Sequence, residues 1–258
     1  MEKNKFLKIS KPLIPTESSF SVDLVIPFHG EYYLVVKLIE SIIRLVKYPK
    51  YKIILVDDAS KSPNIKQSFS KFEGIKVIRH ETQAGFAASV NTGIRAAESD
   101  FVCVLHSDVE VVEQNVFWNL ARGLNDLKNE KVAFISATTD NPMSKDCAFL
   151  KSTSSRSESP VIIQDNQYLP YFCTMLSRPV YLKLGGFFEF PYCWFEDKLI
   201  AKKCHASGYR MAYHPAAYLR HNGGATVKSL VNQDRNVLDK IKSNYASYLN
   251  ELKILDLK

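Results

Sequence analysis

The sequence predicts an α/β fold: a mostly parallel central sheet with helices on both faces and an amphipathic helix at the C-terminus. Three observations carry this. Apolar runs such as VDLVIPF, KIILV and FVCVL are too short and too continuous for anything but strands covered on both sides. Segments with apolar residues at three- and four-residue steps separate them. The 258 residues are 46% hydrophobic and 24% charged, a balance that suits one large globular core and sets aside disorder, collagen and coiled coil for the whole chain.

The elements follow in order. Residues 1–20, rich in Lys, Pro and Ser, read as a leader. Val22–Phe28 is the first strand, and Tyr33–Val46 a helix with Leu34, Leu38, Ile42 and Leu45 on one face. Lys52–Val56 is a strand, Asn64–Phe72 a helix and Ile75–Ile78 a strand. Gly85–Ala97, Phe101–Leu105, Val116–Leu127 and Val132–Ser136 continue the alternation as helix, strand, helix and strand. Ser144–Ser159 is polar and reads as a surface loop. Glu196–Ala206 is a helix, and Tyr209–Tyr213 and Ala217–Arg220 are strands near the far edge. From Val227 on, Leu230, Leu238, Ile241, Tyr245, Leu249 and Leu252 mark an amphipathic tail. Packing on the core is its first use; a dimer contact or a membrane-surface contact is a second.

Lys and Arg total 34 against 27 Asp and Glu, a formal charge of +7 that suits an anionic partner. The basic residues are scattered, without the clustered stripe and interleaved aromatics of a nucleic-acid surface, so nucleic acid is not the expected partner. Five cysteines with no CxxC spacing suggest reduced thiols rather than a disulfide framework. Cys193, Cys204, His205, His214 and His221 match no standard zinc spacing, and Cys173 has no base near it in sequence. No apolar run approaches the ~18–20 residues that span a bilayer. The basic MEKNKFLKIS start is not followed by an apolar segment, so a cytoplasmic chain is expected.

Chemistry gathers where strands end. The first runs into Pro27, Phe28 and His29. The second runs into Asp57, Asp58 and Ser60, and the fourth into His106, Ser107, Asp108 and Glu110. Ligands of open parallel sheets bind beyond these carboxyl ends. Carboxylates crowded there repel one another unless a cation lies between them, and oxygen ligands suit Mg²⁺ or Mn²⁺. Any single Asp after a strand is equally a turn former or helix cap, and His29 and His80, taken singly, are ordinary polar residues at strand ends.

The order of these segments resembles the family 2 glycosyltransferases of the GT-A, Rossmann-like fold. DLVIPFHGE is similar to that family's opening strand, IILVDDAS to its VDDGS strand end, and RHETQAGFAASVNTGIRAAESDFVCVLHSDVE to its Gly–Asn–Gly helix and DxD-type motif. PYFCTMLSRPVYLKLGGFFEFPYCWFED resembles the acceptor-side segment ending in the ED pair, and HPAAYLRHNGGAT the late His motif. The resemblance implies a single transferase domain over 21–226, with residues 227–258 as a helical tail. It implies an inverting, metal-dependent enzyme of the hexosyl- or rhamnosyltransferase kind. The donor would be a UDP-, dTDP- or GDP-sugar, and the acceptor a glycan or a lipid-linked hydroxyl.

Position by position, it places Pro27, His29, Asp57, Asp58, Gly85, His106 and Ser107 on the nucleotide side and gives Asp108 and His221 to a Mn²⁺ or Mg²⁺ ion. It makes Asp197 of the Glu196–Asp197 pair the base and sets Tyr192 and Trp194 toward the acceptor. Leu199 stands where relatives often carry an acid two positions after the base, and Phe188 replaces the acid of GGFDE. Two further readings stand beside this one: a protein that binds a nucleotide sugar without turnover, and a nucleotidyltransferase. The latter expects a Gly-rich basic loop where Phe28-His29-Gly30-Glu31 stands.

Overall fold

The computed structural model describes residues 20–61, 69, 72–142, 144–152, 156–224, 231 and 236–256. Residues 1–19 of the expected leader, most of the Asn64–Phe72 helix, and all but residues 231 and 236 of the stretch 225–236 lie outside them.

The first half is built as the apolar runs require. β1 (Ser21–Phe28) pairs in parallel with β2 (Lys50–Asp57) and β4 (Phe101–Leu105), and β2 pairs in parallel with β3 (Ile75–Arg79). Val22 to Phe28 are all buried, the signature of a strand covered on both faces. Helix α1 (Tyr32–Leu45) joins β1 to β2, and α2 (Phe86–Ala96) carries the chain from β3 back across to β4. Right-handed crossovers running outward and then back put these two helices on opposite faces. The seating of α2 is close: a Cβ on Gly93 would lie 2.3 Å from Cγ1 of Val25.

Beyond β4 the sheet turns mixed. The full order is β3-β2-β1-β4-β8-β6-β9-β5, with β7 (Val161–Ile162) on β9. β8 (Cys173–Ser177) is antiparallel to β4 and to β6 (Val132–Thr139). β9 (Arg210–His221) is parallel to β6, and the short β5 (Val109–Glu110) is antiparallel to β9. "Mostly parallel" therefore describes the first half only. The two strands expected at Tyr209–Tyr213 and Ala217–Arg220 are one continuous strand. Its register shifts opposite β6 between Ser136 and Thr138, and Pro215 falls at that irregularity.

Helix α3 (Val116–Asp126) packs on β6 and β9, α4 (Arg178–Lys183) follows β8, and α5 (Glu196–Ala206) precedes β9. The tail is helix α6 (Val237–Asp256), which buries Val237 and Ile241 against Tyr192 and Cys193 and donates Asn244 Nδ2 to the carbonyls of Pro191 and Cys193. No described helix is long and apolar enough to cross a membrane.

Candidate active site

The carboxyl ends of β1, β2 and β4, the residues after β4, and the start of α5 face one cleft of about 470 Å³. Pro27, His29, Asp58, Gly85, His106, Ser107, Asp108, Tyr192, Trp194, Glu196 and Asp197 all line it.

Asp57 does not. It is fully buried, its Oδ1 accepts from Ser60 N at 2.9 Å and its Oδ2 pairs with Arg79, so it ties the end of β2 to the end of β3. Asp58 is the cleft-lining member of the pair. Its carboxylate accepts from His80 Nδ1 (2.9 Å), Ala84 N (2.8 Å) and Gly85 N (2.9 Å), which fixes the loop entering α2. His80 thus has a positioning contact that its place at a strand end did not reveal. Gly85 has φ +94°, and a Cβ there would meet Tyr192 N and O at 2.9 Å; glycine is what lets this loop pass the 190–195 segment. Phe86 N donates to Tyr192 O at the same crossing.

At one end of the cleft, three side chains converge. His221 Nε2 lies 3.3 Å from Asp108 Oδ1 and 3.4 Å from His106 Nδ1, and His106 Nδ1 lies 4.0 Å from Asp108 Oδ1. His221 itself is not on the cleft wall; it is buried against Asp108 and stacked on Phe172. Its Nδ1 is 3.0 Å from the Asn141 carbonyl, which only accepts, so Nδ1 carries a proton and the ring is held with Nε2 toward Asp108. Burial, with His221 adding to it, pushes the His106 pKa down to about 4, leaving that ring neutral at pH 7.

Two imidazole nitrogens and a carboxylate oxygen gathered in this way are a ligand set that fits a divalent cation. Ligands ~2.1 Å from a shared ion stand ~3–4 Å apart over ordinary bond angles. Among the described residues this is the one cluster of His, Cys, Asp and Glu with such spacing. The imagined cluster of Cys193, Cys204, His205, His214 and His221 is not gathered.

At the other end stands the carboxylate pair. Phe195, in the left-handed region at φ +76°, precedes α5, and Tyr192 and Trp194 have positive φ as well. Glu196 is buried, and its Oε2 has no hydrogen-bond partner among the described residues. Asp197 is half-buried, and its Oδ1 accepts from Lys198 N at 2.8 Å. Burial raises both carboxyl pKa values. The charge of Asp197 adds to the rise at Glu196, which is displaced further. The Ser89 hydroxyl is a second buried, unpartnered polar group on the wall.

Several lining residues gave no sequence signal: Tyr168 and Lys198 beside Asp197, Cys147, and Phe86, whose ring meets His106 edge-on. Asn91 lies deeper. It donates Nδ2 to Phe187 O and Glu189 Oε1 and accepts from Tyr181 OH and Phe187 N, stitching α2 to the GGFFE turn. Leu199 is fully buried, and Phe188 is half-buried against Phe190.

Residues 23–133 match the family model described as glycosyl transferase family 2. A pre-mycofactocin glycosyltransferase of Mycobacterium tuberculosis is 27% identical over 224 residues, covering 83% of this chain and 45% of that protein. The glycosyltransferase GlyG of Streptococcus pneumoniae is 28% identical over 102 residues, 38% of this chain and 33% of that one. The chain therefore spans less than half the length of these relatives. Among solved structures, the mannosyltransferase PcManGT of Pyrobaculum calidifontis, in complex with GDP-Man and Mn²⁺, superposes with a TM-score of 0.61 at 17% identity, covering 87% of this chain and 64% of that one. S. aureus TarS residues 1–349 in complex with UDP-GlcNAc gives 0.61 at 15% identity over 81% of this chain and 61% of that one. These likenesses establish the fold.

Proposed function

We propose that this chain, whose residues 23–133 match the model of glycosyl transferase family 2 and whose fold is that of GT-A structures, transfers a sugar, with inversion, from a nucleotide-diphosphate sugar to a hydroxyl of a glycan or lipid-linked acceptor. The observation that supports this most is that His106 and Asp108, with His221 against them, share one cleft with the Glu196–Asp197 pair, from distant parts of the chain.

In this reading Asp108, His221 and His106 hold Mn²⁺ or Mg²⁺, which when bound neutralises the leaving diphosphate as a Lewis acid. Pro27, His29, Asp58, Gly85 and Ser107 form the nucleotide wall, where glycine and proline let backbone approach the ligand. Asp197 takes the proton of the attacking acceptor hydroxyl. A raised carboxylate pKa makes it a better base than an ordinary one, since proton affinity and ionised fraction are then better balanced near neutrality. Direct attack with one base inverts the anomeric centre, by the geometry that separates inverting from retaining glycosidases. Tyr192 and Trp194 flank the acceptor, and Trp194, 44% exposed, offers a face for a sugar ring. Transfer of a hexosyl or rhamnosyl unit is the specific form proposed, with the chain working at the cytoplasmic side of a membrane or in the cytoplasm.

The direct test is a thermal-shift panel of UDP, GDP, dTDP and their sugars with and without Mn²⁺. At least one nucleotide should raise the melting temperature in the presence of the metal. Absence of any metal-dependent shift overturns the proposal. A shift without turnover of any donor would favour the reading as a nucleotide-sugar-binding protein.

A further inference from the structure

A second cavity of about 330 Å³ adjoins the cleft, and Tyr168 and Lys198 line both. Helix α5 leads into it. Asp197 ends on the cleft, and Lys198, Ala201 and Lys202, at i, i+3 and i+4, form one face of that helix along the cavity wall. Lys202 stands ~7.5 Å further along the axis than Asp197, a step comparable with one sugar ring. Asp146 faces Lys198 at 3.4 Å and accepts from Tyr168 OH at 3.4 Å. The segment around Asp165 closes another side, and Tyr248 of α6 a further one.

The lining chemistry is selective. Asp146 and Asp165 balance Lys198 and Lys202, so the cavity has no net charge to hold a phosphate. Its carboxylates, ammonium groups, carboxamides and phenols offer many hydrogen-bond donors and acceptors and no continuous apolar wall for a lipid chain. What fits is an uncharged, hydroxyl-rich molecule with a ring face to lay on an aromatic side chain. Resting on the transferase reading above, we infer that this cavity is a subsite for the penultimate sugar of the acceptor. The acceptor is then a neutral oligosaccharide of at least two units, its terminal ring beside Asp197 and its next ring between α5 and the 165–168 segment.

The experiment uses the full chain saturated with its nucleotide and Mn²⁺. Calorimetric titrations compare N-acetylglucosamine with N,N′-diacetylchitobiose, mannose with mannobiose, and galactose with galactobiose. At least one disaccharide should bind about fivefold or more tighter than its monosaccharide, the value of one or two added hydrogen bonds. Asp165→Ala and Lys202→Ala, both at exposed positions, should each remove that gain and leave monosaccharide and nucleotide affinity unchanged. The inference is overturned if no disaccharide of the panel gains over its monosaccharide, or if the gain survives both substitutions. Failure of the transferase reading is distinguishable, because it shows as loss of metal-dependent nucleotide binding by the unsubstituted chain.

Discussion

Glu196 and Asp197 are adjacent in sequence yet differ in environment. Asp197 is half-buried with an amide donor, whereas Glu196 is buried with one oxygen unpartnered. As the proposed base Asp197 must be ionised, so the transfer rate should rise with pH through an ionisation displaced above the ordinary carboxylate range. Asp197→Asn should lower the rate by about 10²–10⁴-fold while leaving nucleotide affinity nearly intact; steady-state kinetics and a binding titration check both halves.

Glu196 makes a different mark, on stability. Its folded pKa is raised, so the fold holds a proton that the unfolded chain releases at lower pH. The stability this contributes is complete below the ordinary carboxylate value and is lost as pH rises through the raised one. Glu196→Gln, which cannot ionise, should flatten that loss. Its melting temperature should exceed the parent's at pH 8–9, by about 2–4 °C for each kcal/mol regained. Equal pH slopes for the two proteins in thermal melts would contradict the assignment.

The elements near the site hold one another through few, specific contacts. α2 is pinned at its start and at its middle: Gly85 passes close to Tyr192, and Asn91 binds the turn that carries Phe187 and Glu189. Gly85→Ala would drive a Cβ into backbone at 2.9 Å in a conformation L-residues rarely adopt. It should destabilise by about 1–3 kcal/mol and weaken nucleotide binding as well, since the displaced loop carries Ala84 and Gly85, whose amides donate to Asp58. Calorimetric melts and nucleotide titration read the two effects. The tail helix α6 supports the same region from outside. Asn244→Ala should loosen the carbonyls of Pro191 and Cys193 and reduce transfer more than it reduces the melting temperature.

The first half of the fold was legible because its strands are buried on both faces and read as unbroken apolar runs. β8 was missed: Cys173–Ser177 sits inside a long apolar and aromatic stretch with no period to separate strand from loop. β5 is two residues long and exists only through its pairing with β9. At the site, residues at strand ends could be picked out by type and place. Tyr168 and Asn244 could not, because their roles come from tertiary contacts across the chain. Which of Asp57 and Asp58 faces the cleft was likewise settled by partners, Arg79 and Ser60 for one and the Ala84 and Gly85 amides for the other.

For the whole molecule, the sheet serves to bring the ends of β1, β2 and β4, His221 at the end of β9, and the start of α5 to one rim. In the proposed function the two ends of the resulting cleft have separable tasks: metal and diphosphate at Asp108, proton removal at Asp197. Calorimetric titration of the nucleotide with and without Mn²⁺, on Asp108→Asn and Asp197→Asn side by side, tests that division most directly. The expected result is loss of the Mn²⁺-dependent part of the affinity in Asp108→Asn and its retention in Asp197→Asn. Equal loss in both, or none in either, would contradict it.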